Sequence, residues 1–334
     1  MHWVVKRVGR AALTILVVVT LSFGLIRLMP GGPIDYLRAQ LQKQQGQISQ
    51  QTLNSLVKTY INVNPDEPIW QQYINYLVSL AHGDLGRSVW YSQSVSSVLA
   101  EALPWTVFVM GVAILLSFAI SIVLGAVMAY HESSRFDVIT TLVSIVSASV
   151  PYYIAGVLLT MYLGYRTGLF PTGGRIGIDV RGFGIEFLIS ALYHAALPIL
   201  SIVITSVGST ALAMRGNSIS VLGEGYLRVA RLRGLSSNRI ATRYVARNAI
   251  LPLYTGLLIA IGNIFGGAII LEVIFNYRGI GYYIYQAVSA RDYPLLMGGF
   301  LIITVAVVLA LLVADLTYSR IDPRVEGGGS NESY

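Results

Sequence analysis

Long apolar runs alternate with polar segments along the chain, and six of these runs are long enough to cross a membrane. A bilayer core requires about 20 mostly apolar helical residues. The runs lie at approximately 11–29, 104–130, 138–165, 187–214, 249–271 and 294–314. Their only formal charge is Arg27, close to the end of the first run. The pattern predicts an all-α, polytopic membrane helix bundle with six transmembrane helices.

Composition and charge agree with a chain embedded in lipid. Of the residues, 54% are hydrophobic and 12% are charged. In soluble domains roughly a quarter of the residues are charged. Basic residues concentrate in the segments 1–10, 131–137, 215–248 and 315–334, and short basic loops stay on the cytoplasmic side. We therefore expect a cell-membrane protein, surrounded by lipid, with both termini in the cytoplasm. The charge indicates topology and no nucleic-acid partner.

The runs divide the chain into four parts. Residues 1–29 form the N-terminal tip and first span, 30–103 an extracytoplasmic segment, 104–320 the transmembrane core and 321–334 a cytoplasmic tail. The extracytoplasmic segment predicts short outer helices between spans one and two. Its clearest helix should begin at Asp66-Glu67-Pro68 and end at Gly83. A cap that only packs on the bundle is the alternative to a functional role for this segment.

The segment 215–248 is strongly basic, with seven arginines and one acid, Glu224. A glycine, Gly234, follows a short helical run, and Ser236-Ser237-Asn238 supplies a cap for a second run. We expect a helix, a tight turn and a helix that lie against the membrane face. A basic anchor that follows the positive-inside rule or binds anionic lipid is the alternative.

The sequence lacks the residues with which a protein harvests energy. A phosphate-binding loop requires a glycine directly before its lysine, and none of the three lysines follows glycine. Proton coupling usually places carboxylates inside spans, and the six runs contain none; His194 is interpreted as interfacial. Without cysteine a thiolate site is excluded. We expect no catalytic residue, no metal and no cofactor, which leaves a channel, a receptor-like anchor or a permease driven by another subunit.

Motifs along nearly the whole chain point to a family. The stretch Gly225-Tyr226-Leu-Arg228-Val-Ala230-Arg231-Leu-Arg233-Gly234-Leu235, followed by Arg247-Asn248-Ala-Ile-Leu251-Pro252, resembles the signature of binding-protein-dependent ABC importer permeases. It is most similar to the first permease of the dipeptide, oligopeptide and nickel branch. Further landmarks in the same order are Gly83-Asp84-Leu85-Gly86-Arg87-Ser88, Ser149-Val150-Pro151, Phe275 to Gly281 and Arg291-Asp-Tyr-Pro294.

The resemblance implies a type I ABC importer permease-like fold and a role for the arginine-rich segment. In that family the segment forms a coupling helix that docks on the ATPase subunit. The positions concerned here are Arg228, Val229, Ala230, Arg231, Arg233, Gly234 and Leu235. Implied partners are a second homologous permease, two ATP-binding-cassette ATPase subunits that bind ATP and magnesium, and an extracellular solute-binding protein.

The resemblance also suggests the solute. We expect a di- or oligopeptide delivered by the binding protein, with an oligosaccharide as the alternative within the same family. A stand-alone channel or a proton-coupled carrier is the rival from another class. Asn263 and Tyr254 are candidate residues of a polar solute path.

Overall fold

The computed structural model describes residues 2–28, 36, 39, 49–61, 67–262 and 264–321. Within these ranges the chain is helical, and its only β pairing is an isolated bridge between Arg87 and Ser94. Five helices are long and apolar enough to cross a membrane, and the number rises to six when one sharply bent pair of helices is counted as a single span. The predicted all-α, polytopic architecture is confirmed.

The helices alternate between long spans and short connecting elements. Those described are α1 (His2–Leu28), α2 (Gln50–Ile61), α3 (Ile69–Ala81), α4 (Val95–Tyr130), α5 (Arg135–Ser149), α6 (Tyr152–Leu159), α7 (Ile185–Leu222), α8 (Gly225–Leu232), α9 (Ser237–Ile240), α10 (Ala246–Ala249), α11 (Leu251–Gly262), α12 (Ile264–Ile274), α13 (Ile280–Ala290) and α14 (Tyr293–Ile321). Two π-helical stretches, Thr160–Arg166 and Ala241–Val245, continue α6 and α9.

The third predicted span is bent rather than straight. It consists of α5 and of α6 with its π-helical continuation, and the two parts meet at 93°. The bend falls at Val150-Pro151, where Val150 has extended backbone angles. A proline disfavours the helical conformation of the residue before it, so the bend follows from the sequence.

Two other spans begin earlier than predicted. Helix α4 begins at Val95, ahead of the expected start at 104. Pro104, predicted for the beginning of the span, lies inside the helix instead. A proline removes one backbone hydrogen bond and is tolerated where the surrounding helix packs well. The fifth span runs over Arg243–Ile261, and the rest of the predicted run, 249–271, continues into the separate helix α12.

The chain divides into two compact units. The first comprises 1–106, 265–269 and 278–312, and the second comprises 107–264, 270–277 and 313–334. Helix α3 in the first unit confirms the helix predicted before Gly83. It ends at Ala81, and Gly83 follows in a left-handed conformation with a φ of +76°. Its Tyr73 ring lies 5.2 Å from that of Phe23 on α1, and burial raises the pKa of the neighbouring Tyr76 to about 12.

A buried carboxylate organises the loop between α3 and α4. Asp292, only 1% exposed, accepts hydrogen bonds at Oδ2 from the Ser88 hydroxyl at 2.5 Å and the Trp90 N–H at 3.0 Å. Its Oδ1 accepts from the N–H of Leu295 in the first turn of α14 at 3.2 Å. Donors of this kind satisfy a buried carboxylate. The two landmarks that contain Ser88 and Asp292 are therefore parts of one local structure.

In the second unit, small residues bring α7 into close contact with α4 and α5. A side chain at Gly208 would overlap the backbone oxygen of Ser144 on α5, and one at Gly125 would overlap α7 at Ala211. Serine hydroxyls bond across the same contacts, from Ser147 to the Ile204 oxygen at 2.8 Å and from Ser121 to the Val207 oxygen at 3.2 Å. Small residues and interhelical hydrogen bonds are the means by which membrane helices associate.

Replacing Gly208 by alanine should separate α5 from α7. The added methyl group meets backbone, which cannot rotate away, so we expect a loss of about 1–3 kcal/mol in the free energy of unfolding. A thermal-shift assay of the detergent-solubilised protein would record this as a lower melting temperature. The matched control is Gly216→Ala on the same helix, where an added Cβ meets nothing within 4 Å. Equal melting temperatures for the two variants would contradict the packing described.

Candidate functional site

The turn after α8 is built around Gly234. This residue has a φ of +72°, a left-handed conformation that residues with a Cβ adopt only at a cost. The Leu235 N–H donates to the Ala230 oxygen at 3.3 Å, the longer-range of the two bonds of a Schellman helix end. The expected sequence of helix, tight turn and helix is present, and Gly234 occupies the position that requires glycine.

One face of α8 is anchored in a small apolar core. Leu227 is fully buried and Ala230 is 5% exposed, and both pack against Ile240 of α9 and Val245 of the following π-helical stretch. Leu235, at the position after the glycine, joins the same cluster. A Schellman turn is frequently closed by such an apolar contact. The cluster fixes α8 in one orientation.

The opposite face of α8 presents apolar side chains to the surroundings. Val229 is 50% exposed, Leu232 is 82% exposed and Tyr226 is 41% exposed. Cationic side chains frame them, and Arg228, Arg233, Arg239, Arg243 and Arg247 are all exposed. We call Tyr226, Val229, Leu232, Arg228 and Arg233 the α8 surface. Of the predicted residues, it contains Arg228, Val229 and Arg233, whereas Ala230 and Leu235 belong to the core; the Arg231 side chain lies outside the described residues.

Two asparagine side chains connect the helices of this segment through hydrogen bonds. Asn248 on α10 donates from Nδ2 to the Tyr226 hydroxyl and to the Tyr244 oxygen, both at 2.9 Å. Asn217, near the end of α7, donates to the Ala249 oxygen at 3.2 Å. These bonds explain why the Arg247-Asn248 landmark accompanies the stretch around Gly234: the asparagine holds α8 and α10 to each other, and Asn217 holds α7 to α10.

One of the seven arginines in the segment is fully engaged within the chain. Arg215 on α7 donates from Nε and Nη2 to the two carboxylate oxygens of Asp137 on α5, at 2.6 and 2.7 Å. The Asp137 side chain is 3% exposed and the Arg215 side chain 27%. Asp137 also accepts from the Ser133 N–H at 3.0 Å. This bidentate pair binds α7 to the start of α5, and the sequence alone does not predict it.

The two residues predicted for a solute path are not joined into a site. Asn263 lies outside the described residues, and Tyr254 is half-buried on α11. Tyr254 does not line the open pocket that lies between α4, α7 and α11 in the second unit. In the part of the chain that the structure describes, no group of three or more histidines and carboxylates lies close enough to hold a metal.

Comparison with known proteins gives a family match over more than half of the chain. Residues 121–327 match the family described as binding-protein-dependent transport system inner membrane component. The chain belongs to this family. The predicted importer permease is thereby confirmed: the protein is a multi-pass membrane subunit of an ABC importer that works with other subunits, and ATP hydrolysis is carried out by those subunits.

Similar proteins match the permease over almost its full length. The di/tripeptide transport system permease protein of Pseudomonas aeruginosa is 30% identical over 97% of this chain and 98% of that protein. The oligopeptide transport system permease protein of Bacillus subtilis is 29% identical over 97% and 99%. The dipeptide transport system permease protein of Escherichia coli is 28% identical over 97% and 98%. The match therefore covers nearly the whole of these relatives.

Removing the charge of Asp137 should loosen α7. Asp137→Asn leaves the Arg215 guanidinium without its counter-ion at a largely buried site, which should lower the free energy of unfolding by about 2–3 kcal/mol. The melting temperature of the purified permease measures the effect. Asp179→Asn, at an exposed carboxylate, is the control and should melt like the unaltered protein. If Asp137→Asn melts with it, the pair does not hold α7 in place.

Proposed function

We propose that the permease translocates di- or oligopeptides and that the α8 surface receives mechanical work from an ATPase subunit. In this proposal the segment 215–248 and both termini face the cytoplasm. A solute-binding protein delivers the peptide from outside, a second homologous permease completes the pore, and two ATPase subunits bind ATP and magnesium. The single observation that carries the coupling role is an exposed apolar patch on a helix whose other face is immobilised.

The α8 surface suits a protein partner better than a lipid surface. A helix that lies in the membrane interface buries its apolar face among the lipid headgroups. In the eight-residue α8 the apolar face with Leu227 and Ala230 is already packed inside the protein, and only a short patch is exposed. Val229 and Leu232 give an apolar centre, and the surrounding arginines give a cationic rim that complements acidic side chains. An apolar centre with a polar rim is the usual anatomy of a protein interface.

Helix α7 provides a stiff connection from α8 into the membrane. It has 38 residues, so it is about 57 Å long, which exceeds the hydrocarbon thickness of about 30 Å. Only Gly223 and Glu224 separate it from α8. The Asp137–Arg215 pair and the close contacts at Gly125 and Gly208 bind α7 to its neighbours. A displacement of α8 is then transmitted to the spans through continuous packing.

The peptide substrate rests on the relatives. The proteins of Pseudomonas, Bacillus and Escherichia that match over almost the full chain are named for di/tripeptide, oligopeptide and dipeptide transport. None of these names supports the oligosaccharide alternative. Uptake of a labelled tripeptide into proteoliposomes that contain the assembled transporter and its binding protein tests the assignment. Peptide uptake that requires ATP supports it, and uptake restricted to oligosaccharides, or uptake by the permease alone, would overturn it.

A charge placed on the α8 surface should detach the ATPase. Leu232→Glu puts a carboxylate at the centre of the apolar patch, where docking would bury it without a partner, so we expect ATPase subunits to co-purify at least about tenfold less. The control is Ile178→Glu, at a fully exposed residue of the predicted outer loop 166–186, which should leave the ATPase bound. Equal recovery of ATPase with both variants would contradict docking at α8.

A further inference from the structure

Helix α3 packs against a part of α1 that belongs to a membrane span. The apolar span in α1 covers Val5–Gly24. The hydroxyl of Tyr73 on α3 lies 2.7 Å from the Thr20 hydroxyl, and its ring centre lies 5.2 Å from that of Phe23. Thr20 precedes Gly24 by four residues, which corresponds to about 6 Å along a helix. Helix α3 is therefore level with the membrane-embedded part of α1.

Contacts with α14 place α3 at a similar depth. The span in α14 begins at Tyr293. Its Met297 and Leu301 line a small pocket together with Tyr76 and Leu80 of α3. They follow Tyr293 by four and eight residues, so they lie about 6 and 12 Å inside the span. Half of a hydrocarbon core is about 15 Å, so α3 lies beside one leaflet of both spans.

The length and composition of α3 are those of a buried or an interfacial helix. Its 13 residues give a length of about 20 Å, which is too short to cross a hydrocarbon core of about 30 Å. Its sequence, Ile69–Ala81, contains no charged residue. Apolar segments of this length either belong to a protein core or lie in a membrane interface. The exposed sides of α3 decide between these two positions.

An exposed apolar strip runs along α3, apart from the side that packs on the spans. It consists of Trp70, Ile74 and Val78, each of which is at least half exposed. Residues four positions apart lie on one side of a helix, so these three side chains are neighbours. Tryptophan is enriched at membrane–water interfaces. We call these three residues the α3 strip.

The polar side of α3 lies next to this strip. Its residues are Gln71, Asn75 and Ser79, each one position after a member of the α3 strip. Asn75 is exposed and donates from Nδ2 to Oε2 of Glu67 at 2.7 Å. Together with the side that packs on the spans, α3 has a protein-facing side, an exposed apolar side and a polar side. A helix with these three sides fits a place where protein, lipid and water meet.

We propose that α3 lies in a membrane interface and that phospholipid covers the α3 strip. The strip lies at the depth of one leaflet, carries no charge and includes a tryptophan. With the proposed orientation this is the outer leaflet, but contact of the strip with lipid does not depend on that orientation. The predicted cap of short outer helices is then partly embedded, and only the polar side of α3 is open to a soluble protein.

The exposure of the α3 strip favours lipid over a soluble partner. A solute-binding protein that docks and leaves in each transport cycle would return Trp70, Ile74 and Val78 to water every time. Apolar surface in water is unfavourable, whereas lipid covers the strip throughout the cycle. The contact with Thr20 and Phe23 also holds the helix beside the span, where lipid is the surrounding solvent.

Spin labels on two adjacent residues test the contact with lipid. The chain contains no cysteine, so Ile74→Cys and Asn75→Cys each provide one site for a nitroxide, on the α3 strip and on the polar side. Both residues are exposed. The labelled permease is assembled with its partner subunits in vesicles of phosphatidylethanolamine and phosphatidylglycerol. The rates of collision with oxygen, which concentrates in lipid, and with a water-soluble nickel chelate are then measured.

Oxygen should collide more often than the nickel chelate with the label of Ile74→Cys, and the order should be reversed for Asn75→Cys. The two rates should place the first label about 5–10 Å below the headgroups. Ready access of the chelate to both labels would show that the strip is in water and would overturn the proposal. Poor access of both reagents to the Ile74→Cys label would show that protein covers the strip, and this also would overturn it.

The fluorescence of Trp70 provides a test without a label. The chain has four tryptophans, and Trp70→Phe removes one of them while an aromatic ring is retained. The difference in emission between the unaltered permease and Trp70→Phe isolates the contribution of Trp70. This difference should be smaller in vesicles of brominated phospholipid, which quenches tryptophans close to acyl chains, than in ordinary phospholipid. Equal differences in the two lipids would place Trp70 away from the acyl chains and would contradict the proposal.

Discussion

The close approach of α7 to α4 and α5 is the constraint on which the second unit depends. Lipid chains are as apolar as leucine, so burial of apolar surface does not by itself hold membrane helices together. Contact at Gly125 and Gly208, serine hydroxyls that bond across the helices and the Asp137–Arg215 pair supply the attraction instead. These contacts are short and directional, and they make α7 part of a stiff block.

Helix α8, which follows α7, is packed against the protein on one face and exposed on the opposite face. Leu227 and Ala230 hold α8 in its core, and Leu232 on the opposite face is almost fully exposed. In the proposed coupling, this exposed face is the surface on which the ATPase subunit acts. A flexible basic anchor would not need the Gly234 turn or the Asn248 bonds. The packing around α8 therefore accounts for features that composition alone assigns to lipid binding.

The sequence predicts more of the architecture than of the contacts. Apolar run length predicts the spans, and Pro151 accounts for the bend in the third, because both depend on local physics. The glycine that follows a short helical run predicts the turn at Gly234, since a left-handed helix end favours glycine. The Asp137–Arg215 pair joins residues far apart in the chain, and neither residue differs in the sequence from a solvated charge.

The start predicted for α4 is too late, because a proline such as Pro104 is typical of a helix entry and here lies inside the helix.

Insertion of Gly-Ser-Gly between Leu222 and Gly223 tests most directly whether work passes from α8 into α7. The number of peptides taken up per ATP hydrolysed is measured in the reconstituted transporter, with the same insertion in the predicted outer loop after Asp179 as the control. A flexible joint leaves the α8 surface intact but disconnects it from α7, so the ratio should collapse while the ATPase remains bound. An unchanged ratio would contradict transmission through this helix.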